Sequence, residues 1–387
     1  MTNRQRLIAI IEGRSPDQIP WIPRMLPWYT ARQKTGTMPE PYRDYSLREL
    51  EKVLGMGTPA REGRVFRTEM TDVEVVSHQE GEDTITDYIT PVGMVSSRTR
   101  YSRELSNVGL GGMEVEHILK GPEDYRVVEF MIIHTRYIPT YEEYLSYDRE
   151  IGEDGVPMVH GGDCPFHHFL QKLVGYNHAY FHLNDYPDQV EHLFEVMTET
   201  DREMVWPILV NSPARLILHG LHFDSQITPR PLFERYIQPY YQEFSELLHA
   251  CGKTLCMHAD NDTRLLLSLI KASGFDMAET FTTAPMVTCT LSEARVAWGT
   301  DVIIWGGVPS VILEDPFPEA EFEAYMKDLF RTIAPGDAFI LGVADNVMPR
   351  ARLDRLLRIT EMASTWGRYP VQVEQGKLKI ARFFSPK

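Results

Sequence analysis

Cys256, His258 and Asp260 stand at every second position of KTLCMHADND, residues 253–262. On a strand, that spacing turns all three side chains to one face. An imidazole and a carboxylate placed there, joined by Glu279 and Asp345 from the ends of two later strands, would make a four-point site for a divalent cation. Imidazole nitrogen with carboxylate oxygen suits Zn²⁺, and Mn²⁺ or Fe²⁺ accept the same donors. A plainer role is equally open. His258 can be a hydrogen-bonded core histidine, and Asp260 or Asp262 can cap the helix that DTRLLLSLIKASG predicts. Cys256, among apolar neighbours, reads as core.

The elements that would position these groups follow a regular pattern from about Val156 onward. Short apolar runs recur in VPMVHGGD, ARLILHGLHFD, TLCMHADND, FDMAET, VIIWGGVPS and AFILGVADN. Amphipathic helix-length segments separate them. PLFERYIQPYYQEFSELLHACG is one, with apolar residues every three or four positions, Pro239 as a kink and Gly252 as its stop. Strand and helix in alternation give parallel β/α units. Six such strands, with earlier ones expected, predict an α/β fold of the (β/α)8 TIM-barrel type. No GxGxxG or Walker loop favours an open dinucleotide-binding sheet instead.

In such a barrel the active site gathers at the C-terminal strand ends. Those ends carry His160 and Asp163, then His222 and Asp224, then His258 and Asp260, Glu279 and Asp345. His160, Asp163, His222 and Asp224 are candidates to orient a substrate or deliver a proton. Further upstream, IPWIPRMLPWY is too rich in proline for regular helix. Its Trp28 and Tyr29 would either pack across a barrel end or flank a substrate ring. Residues 72–102 alternate β-rich runs with EGED and TPVG turns, which predicts an antiparallel hairpin or meander. The expected organisation is one barrel domain over 1–387. An N-terminal extension and β insertion fill about 1–110, and the main β/α repeats about 150–370.

Of the 387 residues, 43% are hydrophobic and 24% charged, with a net charge of −16. Such an acidic balance argues against nucleic acid or an anionic membrane as the main partner. No run reaches the ~18 apolar residues of a membrane span. The opening residues lack a secretory signal. Four cysteines without a CxxC pair fit a reducing cytoplasm. The oligomeric state, a homodimer among the possibilities, is not legible.

Several stretches resemble the uroporphyrinogen decarboxylase superfamily: TNRQRLIAIIEGRSPDQIPW, ITPRPLFERYIQPYYQEFSELLHACGKTLCMHADND, FDMAETF, WGGVPS and AFILGVADNVMP. The resemblance implies a distorted (β/α)8 barrel with its site at the mouth. It also implies one of two chemistries, cofactor-free decarboxylation or zinc-assisted methyl transfer with a corrinoid. Two departures count against the decarboxylase. IPRMLPWYTARQKTG keeps Arg24 and Arg32 without the family's arginine-rich motif, and VADNV replaces a glycine-histidine-glycine pattern. Against the methyltransferase branch, His258 is kept, while Asp260 and Asp345 stand where that branch has cysteines. Glu279 falls near an acidic residue that can approach the metal. Carboxylates in place of thiolates favour an oxygen donor, so the resemblance implies O-demethylation of a methoxylated, aromatic small molecule. The corrinoid carrier's D-x-H-x-x-G signature is absent, so the cofactor would arrive on a separate corrinoid-carrying protein. A non-catalytic binding paralogue is the remaining alternative.

Overall fold

The computed structural model describes residues 1–107 and 111–372. Its strands are β1 (Phe66–Met70), β2 (Glu74–Glu80), β3 (Asp83–Thr90), β4 (Gly93–Arg100), β5 (Met113–Glu116), β6 (Thr135–Pro139), β7 (Met158–Gly162), β8 (Leu216–Leu221), β9 (Thr254–His258), β10 (Met277–Phe281), β11 (Ile303–Val308) and β12 (Phe339–Val343). The six apolar runs read from the sequence are β7 to β12. They form one parallel sheet in chain order.

Two irregular segments complete the barrel, and both lie in what the sequence suggested was an extension. Ile22 N–H donates to the Leu341 carbonyl at 2.8 Å, and Leu341 N–H donates back to the Pro20 carbonyl at 3.0 Å. Met158 N–H donates to the Ala60 carbonyl at 2.8 Å, beside a parallel bridge from Gly63 to Val159. Gly57 N–H donates to the Trp21 carbonyl at 2.9 Å and joins the two segments. Prolines 20 and 23 cannot donate to a ladder, so the chain pairs through carbonyls and scattered amides. The proline-rich stretch does turn helical at Leu26, where Pro27 occupies the first turn and needs no donor.

The barrel interior below the mouth is apolar. Met158, Leu218, Cys256, Met277, Trp305 and Ile340 pack together, and Leu7 and Ile10 of the helix Asn3–Ile11 close the bottom. Thr2 caps that helix in a reciprocal box with Gln5. Cys256 and His258 share the inward face as their spacing requires, with Cys256 one layer deeper. The outward faces of the strands pack on the surrounding helices in the larger core. In the helix after β8, Pro239 acts through a π turn over Phe233–Ile237. The expected meander is present as β2–β3–β4, with β5 added at its edge.

Bulges at the mouth decide which side chains face inward. Glu279 pairs with Trp305 but Phe281 pairs with Gly306, so Thr280 is skipped and takes φ 56°. Gly306 makes this possible. Its own φ is 148°, and a Cβ there would lie 2.6 Å from the Phe281 nitrogen and oxygen. Gly306→Ala is therefore expected to cost about 2 kcal/mol or more of stability, measured by urea denaturation. A change below about 0.5 kcal/mol would contradict this packing.

Candidate active site at the barrel mouth

His258 ends β9, and its ring is fixed from behind. Nδ1 lies 2.7 Å from Glu279 Oε2 and 2.8 Å from Thr280 Oγ1. The Thr280 hydroxyl also lies 2.7 Å from the Glu279 carbonyl, to which it donates. A proton on Nδ1 shared with a buried carboxylate leaves Nε2 facing the cavity. Nε2 stands 3.6 Å from Asp260 Oδ2 and 3.5 Å from Asp345 Oδ1. Asp260 in turn accepts from His222 Nδ1 at 2.8 Å.

His222, Thr280 and Asp345 all have positive φ, at 59°, 56° and 55°. For such residues the left-handed region is uncommon and costs roughly 1–3 kcal/mol each. Three of them converging on one imidazole mark the mouth as the place where backbone strain is spent on side-chain placement.

Two arginines balance the carboxylates. Arg24 Nη1 donates to Asp345 Oδ1 at 2.7 Å, and Asp345 Oδ2 accepts from Asn346. Arg61 Nη2 lies 3.4 Å from Glu279 Oε2. Burial alone would push the His258 imidazole down, but Asp345 and Glu279 override it and raise its pKa to about 9. Burial opposes the ionised form of Glu279, yet Arg61 and His258 hold it at about 2. Asp345 is held well below the ordinary carboxylate range by His258 and Arg24, against its own desolvation.

The structure regroups the residues expected from the sequence. His258, Asp260 and Asp345 converge as anticipated, and His222 joins them. His222, His258 and Asp260 can each offer one ligand atom with all three within 4.8 Å of one another. Glu279 departs from its expected role as a ligand. It lies on the Nδ1 side of His258, completely buried, and orients the ring. Asp262, not Asp260, caps the following turn through Arg264 N–H. Asp163 and Asp224 each give a carboxylate oxygen to the backbone. Asp163 Oδ1 accepts from Leu221 N–H at 2.7 Å, and burial raises its pKa to about 7. Asp224 Oδ1 accepts from Gln226 N–H at 2.7 Å and closes a turn. Both are claimed by backbone amides. His160 does reach the mouth, where desolvation and Arg61 lower its pKa to about 4 and keep it neutral.

Of the two roles open to Trp28 and Tyr29, the side chains are placed for packing. Trp28 is fully buried, donates to the Ala351 carbonyl at 2.9 Å and stacks under Arg32. Tyr29 donates to the Tyr45 carbonyl. Neither lines the main cavity, a space of about 800 Å³ above His258. Met25, Leu26, Pro27, Leu47 and Leu221 supply its apolar wall, and Arg24, Arg61 and His160 its polar one. The sequence offered no motif for Arg61. An arginine in the Gly- and Pro-rich stretch GMGTPAREGR, three residues before Arg64, was the only signal.

Glu51 also borders the cavity. It is 2% exposed, accepts from Thr58 Oγ1 at 2.7 Å, and burial raises its pKa to about 8. Between the ordinary value of 4.5 and about 8 the folded chain keeps a proton that the unfolded chain releases. Stability therefore falls as pH rises through that window, by about 1.4 kcal/mol per pH unit. Glu51→Gln is expected to stabilise the protein at pH 8.5 and to match wild type near pH 4.5. Urea denaturation at the two pH values measures this, and equal stability at both would contradict it.

A sequence model of the uroporphyrinogen decarboxylase family matches residues 114–366. The chain belongs to that family. This family member also aligns with a methyltransferase from Methanosarcina mazei of known structure. The identity is 14%, covering 94% of this chain and 98% of that one, with a TM-score of 0.51. At that identity the likeness establishes the shared barrel fold. A dipeptide epimerase from Methylococcus capsulatus, solved with a magnesium ion, aligns at 12% identity over 76% of this chain and 80% of that one. Its TM-score of 0.19 bears on neither fold nor function. No curated protein matches in sequence. Among the described residues no helix is long and apolar enough to cross a membrane.

Proposed function

We propose that this member of the uroporphyrinogen decarboxylase family is a metal-dependent methyltransferase. It takes a methyl group from an O-methyl donor, of which a methoxyarene is the fitting type, and passes it to the corrinoid of a partner protein. One observation carries the reading. His258 Nε2 faces Asp260 and Asp345 across gaps of 3.6 and 3.5 Å, too wide for hydrogen bonds. Two donors each ~2.1 Å from a tetrahedral ion lie ~3.4 Å apart. The set that fits a divalent ion such as zinc is therefore His258, Asp260 and His222, whose ligand atoms lie within 4.8 Å of one another, with Asp345 Oδ1 3.5 Å from Nε2 as a further oxygen in reach. Glu279 completes the arrangement by fixing the His258 tautomer, as outer carboxylates do for ligating imidazoles.

Zinc held by these residues would supply Lewis acidity to an ether oxygen, which would let the C–O bond break with its electron pair on oxygen and the methyl group pass to the reduced corrinoid. The residues of the chain orient the donor and discharge the product. The apolar wall from Met25 to Pro27 and Leu221 seats the body of the donor. Asp260 holds the His222 ring at the mouth, where it can pass a proton to the released oxygen. Arg24 keeps Asp345 ionised and in place.

Cofactor-free decarboxylation is the second reading, and Arg24 and Arg61 at the mouth favour it. The bond from Arg24 to Asp345 weighs against it, because that guanidinium is already engaged. Incubating the chain with reduced cobalamin and methoxyarenes tests the first reading. Methylation of the corrinoid that stops after chelator treatment is expected. No methylation with zinc supplied would overturn it.

A further inference from the structure

Arg61 is a guanidinium with donors to spare. Its side chain is only 11% exposed, yet it makes no hydrogen bond to any described residue that the geometry supports, and its Nε is buried without a partner. Its nearest counter-charge among the described residues is Glu279, whose Oε2 is 3.4 Å away and accepts from His258, while Oε1 is buried without a partner; the charges of Asp345 and Glu62 act on it from further off. Arg24, across the mouth, is by contrast bound to Asp345. A buried guanidinium with unused donors is costly unless something fills them.

The surroundings say what fills them. Arg61 lines the main cavity and also a side recess of about 260 Å³, which shares Glu62 and His160 with it. Met25, Leu26, Pro27, Leu47 and Leu221 give the main cavity its apolar lining. At the site, four carboxylates (Asp260, Glu279, Asp345 and Glu62) stand against the guanidiniums of Arg24 and Arg61, so a divalent ion would bring the group to neutrality. On a chain of net charge −16 that is a local exception, and Arg61 is the cation there with donors left for an anion. The planar fork of a guanidinium matches a carboxylate better than a spherical ion.

We infer that Arg61 is the anchor for a carboxylate on the substrate, so that the methyl donor is a small organic acid with an apolar body. This substrate class rests on the methyl-transfer reading above, but the anion subsite can be tested without it. Calorimetric titration of the full chain, as purified and after chelator treatment, should compare 4-methoxybenzoate with its neutral isostere 4-methoxybenzamide. Wild type is expected to bind the acid roughly tenfold or more tighter than the amide. Arg61→Gln should remove that preference while leaving amide binding within about twofold. Arg61→Lys, which keeps the charge but not the fork, should retain part of it and controls for folding. A guanidinium that served only Glu279 would lower acid and amide alike. A carboxylate seated elsewhere, or on the metal, would be indifferent to Arg61→Gln. Either result, or no binding of the acid to wild type, overturns the inference. Acid binding through Arg61 without corrinoid methylation would keep the subsite and discard the methyl-transfer reading. Methylation by neutral donors alone would do the reverse.

Discussion

His258→Ala is expected to weaken zinc binding by about 100-fold or more, beyond the 10- to 100-fold that loss of an outer partner costs. No other side chain can replace it. Nε2 is the atom that both Asp260 and Asp345 face, and three elements are committed to holding its ring. The bulge in β10 turns Glu279 and Thr280 onto Nδ1, and the positive φ of Asp345 brings a carboxylate from the end of β12 to Nε2. Competition against a chromophoric chelator measures the loss. Melting the metal-free variant beside metal-free wild type shows whether the chain stays folded. Unchanged affinity would return His258 to the plainer role of a buried hydrogen-bonded histidine.

Glu279→Gln should have the second-largest effect, a loss of zinc affinity of about 10- to 100-fold with the ligand atoms all still present. The amide keeps the shape and can still accept from Nδ1, but it brings no charge to hold the tautomer. It also takes from the buried Arg61 its nearest counter-charge, so some destabilisation accompanies it. The comparison between the two variants is informative. A loss as large as that of His258→Ala would make Glu279 a direct ligand, as its position in the sequence first suggested.

The chain declared most of its barrel openly. β7 to β12 are short apolar runs that end in polar groups or glycines, and the helices between them carry clear periodicity. The first two wall positions were hidden. Residues near 20–24 and 57–63 pair through a few carbonyls and amides, and prolines erase the strand pattern. At the site, His258, Asp260 and Asp345 were legible because each sits at a strand end. The membership of His222 was not, because it depends on the bulge in β8, where Leu218 pairs with Cys256 but Leu221 with His258. That irregularity also sends His219 outward to Tyr240 and Tyr241. Asp163 and Asp224 looked equivalent to Asp260 until nearby amide groups claimed them. Trp28 followed the same logic in reverse, since its indole N–H found the Ala351 carbonyl and the ring went into the core. Arg61 escaped notice because its importance lies in what it lacks, a hydrogen-bond partner.

X-ray absorption at the zinc edge of the zinc-loaded chain tests the central claim most directly. Cys164, Cys256 and Cys289 are buried, Cys251 is exposed beyond the opposite end of β9, and none belongs to the cluster of ligand atoms around His258. The predicted shell is nitrogen and oxygen alone at about 2.0–2.2 Å, with imidazole scattering that falls in His258→Ala. A sulfur neighbour near 2.3 Å, or a chain that retains no zinc, would contradict it.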